Sequence, residues 1–474
     1  MVMTKILLVE PPAPKKHKSL RVLGSVGSLK ANMIWPPYDH MLIGGLLRKN
    51  GIYDFDIIDA QNLNITYPQL KNMIRKARPE FVVFTTTNHS LPSDLNTAKV
   101  AKQVDKNIKT AAIGLSIQAI KDLDNVMKKN KDLDFIVYNE AEYPVLNLIK
   151  NNYNPKDVLG IYYRKGGKIV KNKPQPPIDY DSLGIPAQDK IPLEIYKDPL
   201  MERKPFTLVC NSRGCVGSCI HCSSFPFQRP LRHRSIDNVI EELRLIKRLG
   251  VKEIKFFDNC FTGNPKWTEK FLKRMIEEDF NFTWLCDVRA DCTPMHLLKL
   301  MKKAGCHTIM MGGDSADQKV LDSMHKRQTV KQVEDAVKRI KSLGFKLLLY
   351  FEFGYPAETK ETMEKTIEFA KRMDPDMVTF AVVTPVYKTQ FYDFLEKNNY
   401  LDKSANIEKY DTIKPPVYNY PHLSAEEIYA ASTKGYREFY LRPKFILKRL
   451  KNSPSLKDDI ENFKMFMKQF ILRN

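Results

Sequence analysis

The sequence predicts an α/β protein: a doubly wound parallel-sheet domain, a partial (β/α)6 barrel of TIM type, and a mainly helical carboxyl-terminal region. Three observations carry this reading. Short apolar runs alternate with amphipathic stretches over residues 1–150; the alternation returns over 205–385; after Pro385 the pattern turns helical and aromatic. Residues 151–204 between the first two regions read as a linker, and 386–474 form the last domain.

In the first domain the strand candidates are Lys5–Pro11, Phe55–Ala60, Phe81–Thr87, Thr110–Leu115 and Phe135–Asn139. Helical patterns lie between them at Asp39–Asn50, Tyr67–Ala77, Ser93–Val104, Ile117–Lys129 and Glu142–Lys150, and Gly51 after Arg48-Lys49-Asn50 is a helix stop. Such alternation argues for a parallel sheet whose ligand sits beyond the strand C-termini. In the linker, Tyr162 to Val170 reads as a hairpin around Gly166-Gly167. Pro174, Pro176, Pro177, Pro186, Pro192, Pro199 and Pro205 then rule out regular structure.

Phe206 to Pro385 holds six apolar runs, at Thr207–Asn211, Glu253–Asp258, Thr283–Arg289, Thr308–Gly312, Lys346–Gly354 and Met377–Val383. These 180 residues give 30 per unit, the length of a βα repeat, and six units curl into an open barrel with its chemistry at the strand C-termini. Helices are expected at Phe391–Asn398 and Ala425–Leu441.

Composition bounds the function. The 474 residues are 43% hydrophobic and 28% charged, which excludes disorder over most of the length. Ile6-Leu7-Leu8-Val9 meets Glu10-Pro11-Pro12 too soon for a secretory signal, and no run of eighteen uncharged apolar residues occurs, so a cytoplasmic protein is expected. Lys and Arg number 76 against 55 Asp and Glu, a net charge of +21. The last 41 residues, from Lys434, contribute +7 of it (11 basic, 4 acidic), a pattern suited to peripheral membrane contact or to a solvated face packed on its own domain. No added RNA-binding module accompanies the charge, so nucleic acid is a disfavoured partner.

The eight cysteines all fall between Cys210 and Cys306, too sparse for a disulfide scaffold. Cys215-Val216-Gly217-Ser218-Cys219-Ile220-His221-Cys222 places three thiols within eight residues, directly after the first barrel strand. A closed zinc site needs four ligands, and Cys210 or His221 is the candidate to complete one. Three thiolates suit a [4Fe–4S] cluster with one iron left without a protein ligand. Cys210, Cys286 and Cys306 read as small core residues, and Cys260, at a strand end, as one facing substrate.

The Cys-x3-Cys-x2-Cys spacing, preceded by Ser212-Arg213-Gly214 and followed by a six-unit barrel, resembles the signature of the radical S-adenosylmethionine superfamily. That resemblance implies a [4Fe–4S] cluster on Cys215, Cys219 and Cys222, with S-adenosylmethionine (SAM) chelating the unique iron and being cleaved to a 5′-deoxyadenosyl radical. An electron donor such as ferredoxin or flavodoxin is then implied. The position before the last cysteine is usually aromatic in the family; here it is His221, expected to contact the cofactor. Further SAM contacts implied by strand-end matches are Asp258 and Asn259, Arg289, Gly313, Asp314 and Ser315, and Gly354 in the Gly354-Tyr355-Pro356 turn.

A doubly wound domain ahead of such a barrel is similar to the cobalamin-binding, Rossmann-like domain of cobalamin-dependent radical enzymes. The matching stretches are Leu7 to Pro12, Leu42 to Gly51 and Asp134 to Glu142, and the resemblance runs from about Lys5 to Pro443. Strand C-termini where such a sheet binds its ligand supply Pro11, Pro12, Thr85, Thr86, Gly114, Ser116, Asn139 and Glu140 as expected cobalamin contacts. The Asp-x-His-x-x-Gly cobalt ligand of mutases is missing; His17, His40 and His89 lack those neighbours and read as ordinary surface or loop histidines.

Together the resemblances imply a class B-like methyltransferase that methylates an unactivated carbon through the adenosyl radical and methylcobalamin. The alternatives are a cyclase, oxidase or carbon–carbon coupling enzyme of the same architecture, and more remotely an RNA-modifying enzyme. The aromatic residues Tyr387, Phe391, Tyr392, Tyr410, Tyr418, Tyr420 and Tyr429 suit either the packing of a helical cap or a pocket for a small molecule, lipid or peptide.

Overall fold

The structure is a computed structural model, and it describes residues 5–14, 18–22, 33–224, 228–405, 410, 412 and 414–452. His17 and residues 453–474 of the basic tail lie outside the described residues. The chain divides into two compact units, Met1–Cys215 with Ser223–Lys255 and Glu278–Phe282, and Val216–Cys222 with Phe256–Glu277 and Thr283–Asn474.

The first unit is built on a seven-stranded sheet: β1 Ile6–Glu10, β2 Phe55–Asp59, β3 Phe81–Thr85, β4 Lys109–Ile113, β5 Phe135–Val137, β6 Ile161–Lys165 and β7 Lys168–Lys171. Their order is β2-β1-β3-β4-β5-β6-β7, with the first five parallel, so strand order reverses between β1 and β3. Every residue of β1 and of β3 is buried, which explains why they read as continuous apolar runs rather than alternating ones. The Gly166-Gly167 hairpin forms as expected and adds β6 and β7 antiparallel to the end of this sheet.

Three outcomes in this unit depart from the sequence reading. The helical pattern at Ser93–Val104 starts earlier and divides into Leu91–Asp94 and Asn96–Val104. The one at Ile117–Lys129 shortens to Leu123–Lys129, because Asp122 caps it by accepting from the Asn125 N–H at 2.9 Å, and Leu115–Ala119 instead forms a buried 3-10 turn. His40 is no surface histidine: it lies in the helix Tyr38–Lys49, fully buried, with Nε2 2.6 Å from Thr85 Oγ1, and burial lowers its pKa to about 4. The proline-rich stretch is pinned through buried Gln188, whose amide donates to the Leu208 carbonyl at 3.0 Å and accepts from Thr207 Oγ1 at 2.7 Å.

A second sheet of six strands runs in the order β15-β14-β13-β12-β11-β8. Its strands are β8 Phe206–Val209, β11 Glu253–Phe256, β12 Thr283–Val288, β13 Cys306–Asp314, β14 Lys346–Phe353 and β15 Met377–Val382; β9 Ser212–Arg213 and β10 Arg232–His233 form a separate small ribbon. Within the second unit β12 to β15 pair in parallel, each with the next strand in the chain. Amphipathic helices Pro265–Glu277, Met295–Lys303, Val330–Ser342 and Lys360–Met373 lie between the strands. Thr329 and Thr359 start the last two with capping boxes, satisfying N–H groups that a helix leaves open. Helices Gln390–Lys397, Ala425–Tyr440 and Pro443–Asn452 make the carboxyl-terminal region helical.

Candidate active site

Backbone hydrogen bonds tie down the three-thiol loop. The Ile220 N–H donates to the Met324 carbonyl at 3.0 Å, and the Ile220 carbonyl accepts from the Phe391 N–H at 3.0 Å. The Cys222 N–H closes a turn on the Cys219 carbonyl at 3.2 Å. Cys215, Cys219 and Cys222 are half-buried and form no disulfide. Gly214, just before the first of them, has φ +99°, and a Cβ there would meet the carbonyl oxygens of Pro230 and Gln228 at 2.7 and 2.8 Å. Only glycine starts the loop at this approach.

Two cations stand near Cys219. Burial pushes the Cys219 thiol up to about 11, opposed by Lys326 and Arg289, the two groups that favour a thiolate there. Lys326 Nζ lies 2.5 Å from Asp314 Oδ2; burial works against its charge, yet Asp314 and Cys219 hold its pKa above the usual value. Asp314 reaches it because the β13–β14 register shifts between Gly312 and Asp314 and Asp314 takes φ +51°, a local break that re-aims the side chain. Arg289, an expected SAM contact, is engaged with Asp291 at 3.0 Å through both Nε and Nη2 and with the Lys326 carbonyl at 2.9 Å. Of the other expected contacts, Asp258 is buried and Asn259 exposed. Ser315 Oγ is 3.3 Å from Thr366 Oγ1, and Gly313 leaves no room for a Cβ, which would stand 2.9 Å from the Phe351 ring.

His221 belongs to a polar triad. Its Nδ1 is 2.9 Å from the Tyr355 hydroxyl and its Nε2 is 3.3 Å from Glu352 Oε2, while Tyr355 donates to the same Glu352 oxygen at 2.5 Å. Gly354 next to it has φ +106°; its N–H donates to Glu358 at 3.0 Å and its carbonyl accepts from Tyr418 and Tyr420 at 3.0 and 2.8 Å. Those tyrosines and Phe391 are buried and pack edge-on, as a cap does. Glu352, Lys326 and the triad partner role of Tyr355 carry no local motif, and sequence reading missed them.

In the first unit, Pro11, Pro12, Thr85, Thr86, Gly114 and Ser116 are buried at strand C-termini. Glu140 is committed elsewhere: Arg232 bonds it at 2.6 and 3.0 Å, Arg213 pairs with it at 3.1 Å, and the Ile178 N–H donates to it at 2.8 Å. Burial opposes its charge, yet the two guanidinium groups hold its pKa down to about 2. Sequence reading also missed a fully buried Arg21, which binds Asp94 at 2.7 Å, Glu10 at 3.1 Å and the Pro11 carbonyl at 3.1 Å, where strand order reverses. On the other side of that point, Gln118 Nε2 and Asn139 Oδ1 are buried with no hydrogen-bond partner among the described residues.

The donor sets fit two kinds of group. Three thiols outside any disulfide on one short loop, with Lys326 and Arg289 near Cys219 to offset thiolate charge, suit an iron–sulfur cluster with an open site. Orphaned buried amide atoms beyond β4 and β5 suit a ligand that supplies a donor to Asn139 and an acceptor to Gln118.

Comparison with known proteins agrees. Residues 211–370 match the Radical SAM superfamily model. The chain is 33% identical over 454 residues to the uncharacterized methyltransferase PH0819 of Pyrococcus horikoshii, covering 94% of this chain and 95% of that protein. It is 27% identical to the anaerobic magnesium-protoporphyrin IX monomethyl ester cyclase of Rubrivivax gelatinosus, covering 87% and 75%. Among solved structures, the cobalamin-dependent S-adenosylmethionine radical enzyme OxsB superposes with a TM-score of 0.74 at 15% identity, covering 98% of this chain and 71% of that one. The radical S-adenosylmethionine methyltransferase TsrM of Kitasatospora setae superposes with a TM-score of 0.67 at 13% identity, covering 84% and 75%. With a thiol loop of the right spacing at the strand ends and a relative of this identity along nearly its whole length, the chain is an enzyme of the radical SAM superfamily.

Proposed function

We propose that the protein is a cobalamin-dependent radical SAM C-methyltransferase acting on an unactivated carbon of a small molecule, lipid or peptide, in the cytoplasm, with a ferredoxin or flavodoxin as reductant. The observation that carries this reading is the conjunction, in one chain, of the Cys215–Cys222 thiol loop with a doubly wound sheet whose strand order reverses between β1 and β3. In this reading residues 1–150 hold cobalamin and 205–385 hold the cluster and SAM. When bound, the cluster with SAM supplies an organic radical, and cobalamin carries the methyl group.

The chain's own residues then have defined tasks. Cys215, Cys219 and Cys222 ligate iron. Lys326 and Arg289 offset the thiolate charge near Cys219, and Asp314 keeps Lys326 in place. His221, fixed by Tyr355 and Glu352, sits in the cluster loop with a planar ring whose orientation is set. Asn139 and Gln118 offer polar atoms to the corrinoid periphery. Alignment and exclusion of water are the protein's share.

The test begins with the ultraviolet–visible spectrum of protein made with cobalamin and purified anaerobically, which is expected to show both the cluster and a corrinoid; a cluster without corrinoid after reconstitution with hydroxocobalamin overturns the reading. With substrate, S-adenosylhomocysteine and 5′-deoxyadenosine are expected in equal amounts. The similarity to a cyclase supports a second reading, in which 5′-deoxyadenosine forms without S-adenosylhomocysteine.

A further inference from the structure

Among the described residues, eight large apolar side chains are exposed, and four of them, Leu441, Ile446, Leu447 and Leu450, fall within one stretch of ten residues. Single exposed apolar residues are ordinary, but a group of them on one short element marks a contact surface. The helix Pro443–Asn452 shows how the group arises. One side of it is docked on its own unit: the Phe445 ring lies 5.5 Å from Phe439 and 5.0 Å from Tyr440, Lys444 pairs with Asp374 at 3.1 Å, and Lys448 pairs with Asp376 at 2.9 Å. Helical spacing turns Ile446, Leu447 and Leu450 to the opposite side, at 39%, 66% and 59% exposure. The same stretch, Leu441 to Asn452, holds Arg442, Lys444, Lys448, Arg449 and Lys451 and no acidic residue. Arg449 is exposed, and Lys444 keeps most of its side chain exposed despite its pairing.

We propose that this helix is a docking surface for an anionic lipid bilayer, lying in the plane of the interface with its apolar stripe inserted among the headgroups. The two halves of the pattern select the occupant. A polyanion such as nucleic acid would engage the cations and leave three aliphatic side chains in water. An apolar groove on another protein would cover the stripe and gain nothing from five cations. An anionic membrane satisfies both, because its phosphates lie level with the basic flank and its acyl boundary takes the aliphatic tips. Phe445 and the two ion pairs hold the helix from its other side, so the stripe is presented without rearrangement. Salt screens the attraction of the cations but does not weaken burial of the stripe, so the two contributions separate by experiment.

The test incubates the full-length, cluster-loaded protein with sedimentable vesicles of equal parts phosphatidylglycerol and phosphatidylcholine, and with vesicles of phosphatidylcholine alone. Co-sedimentation with the anionic vesicles only is expected, weakening several-fold as salt is raised from low to physiological strength. Leu447→Ser with Leu450→Ser removes the stripe and keeps the charge, and is expected to lower binding roughly tenfold. Arg449→Gln is expected to weaken it by a smaller factor, and Tyr53→Ser, at an exposed aromatic residue of the first unit, to leave it unchanged. Leu447→Ser alone, at the most exposed of the three, serves where the double variant does not fold. The proposal is overturned if wild type stays in the supernatant with both vesicles, or if it binds and the serine variants bind as well. In the first case the same proteins name the cover that stands in place of lipid. A wild-type dimer that the serine variant dissociates in velocity sedimentation points to a second copy, and a serine variant that melts several degrees lower points to residues 453–474.

Discussion

The Tyr355 hydroxyl joins His221 to Glu352: it lies 2.9 Å from His221 Nδ1 and donates to Glu352 Oε2 at 2.5 Å. Its single proton goes to the carboxylate, and its oxygen faces the His221 ring nitrogen. The loop residue beside Cys222 is therefore oriented by a strand end 134 residues away in sequence.

Replacing Tyr355 by Phe removes that joint and takes one partner from each of two half-buried groups, His221 and Glu352, a loss on the order of 1 kcal/mol. Thermal unfolding of Tyr355→Phe is expected several degrees below wild type, and iron is expected to leave the protein faster on exposure to a chelator. Unchanged iron release would separate the triad from the loop.

Alanine at Cys215, Cys219 or Cys222 is expected to abolish iron and sulfide incorporation, because a three-thiolate site has no ligand to spare. Alanine at Cys210, a fully buried core residue, is expected to leave the iron content intact while lowering stability slightly. Iron and acid-labile sulfide assays on the four variants check both.

Arg21 is the only cation bonding buried Asp94 and Glu10 among the described residues, so Arg21→Leu strands two carboxylates in the core. Breaking such a pair costs about 3–5 kcal/mol. Denaturant titration should show that loss, and Arg21→Leu with Asp94→Asn should recover part of it.

Glu358 is fully buried, and burial raises its pKa from 4.5 to about 8. The folded state therefore holds a proton that the unfolded chain gives up near 4.5. The stability this contributes is complete below pH 4.5 and is lost progressively as pH rises to about 8. Glu358→Gln keeps an acceptor for the Gly354 N–H without the charge, so its melting temperature is expected to fall less than that of wild type between pH 5 and 9.

Gly114 has φ +137°, and a Cβ there would stand 2.4 Å from the Thr86 carbonyl oxygen, a backbone atom that cannot swing away. Gly114→Ala is expected to cost about 2–3 kcal/mol. Gly250→Ala, at φ +84° with nothing within 4 Å, carries the backbone term alone and should lose less. Calorimetry of the two variants ranks them.

Much of the fold was legible because period and burial are local properties. The apolar runs at Ile6–Val9 and Phe81–Phe84 needed only their own residues to announce buried strands, and Cys215–Cys222 announced a cluster of thiols because one short loop holds all three. Asp122 showed the limit of that reading: one capping side chain moved a helix start by several residues, and periodicity does not register a cap.

The sequence by itself determined two parallel-sheet regions, a helical end and a loop of three thiols, since each is written in spacings of a few residues. Tertiary structure alone decided which charges were free for chemistry. It spent Glu140 on Arg213 and Arg232, joined Arg21 to Asp94 across 73 residues, set Lys326 against Asp314, and buried His40. A buried charge must find its partner wherever the fold brings one, and that distance through space has no signature along the chain.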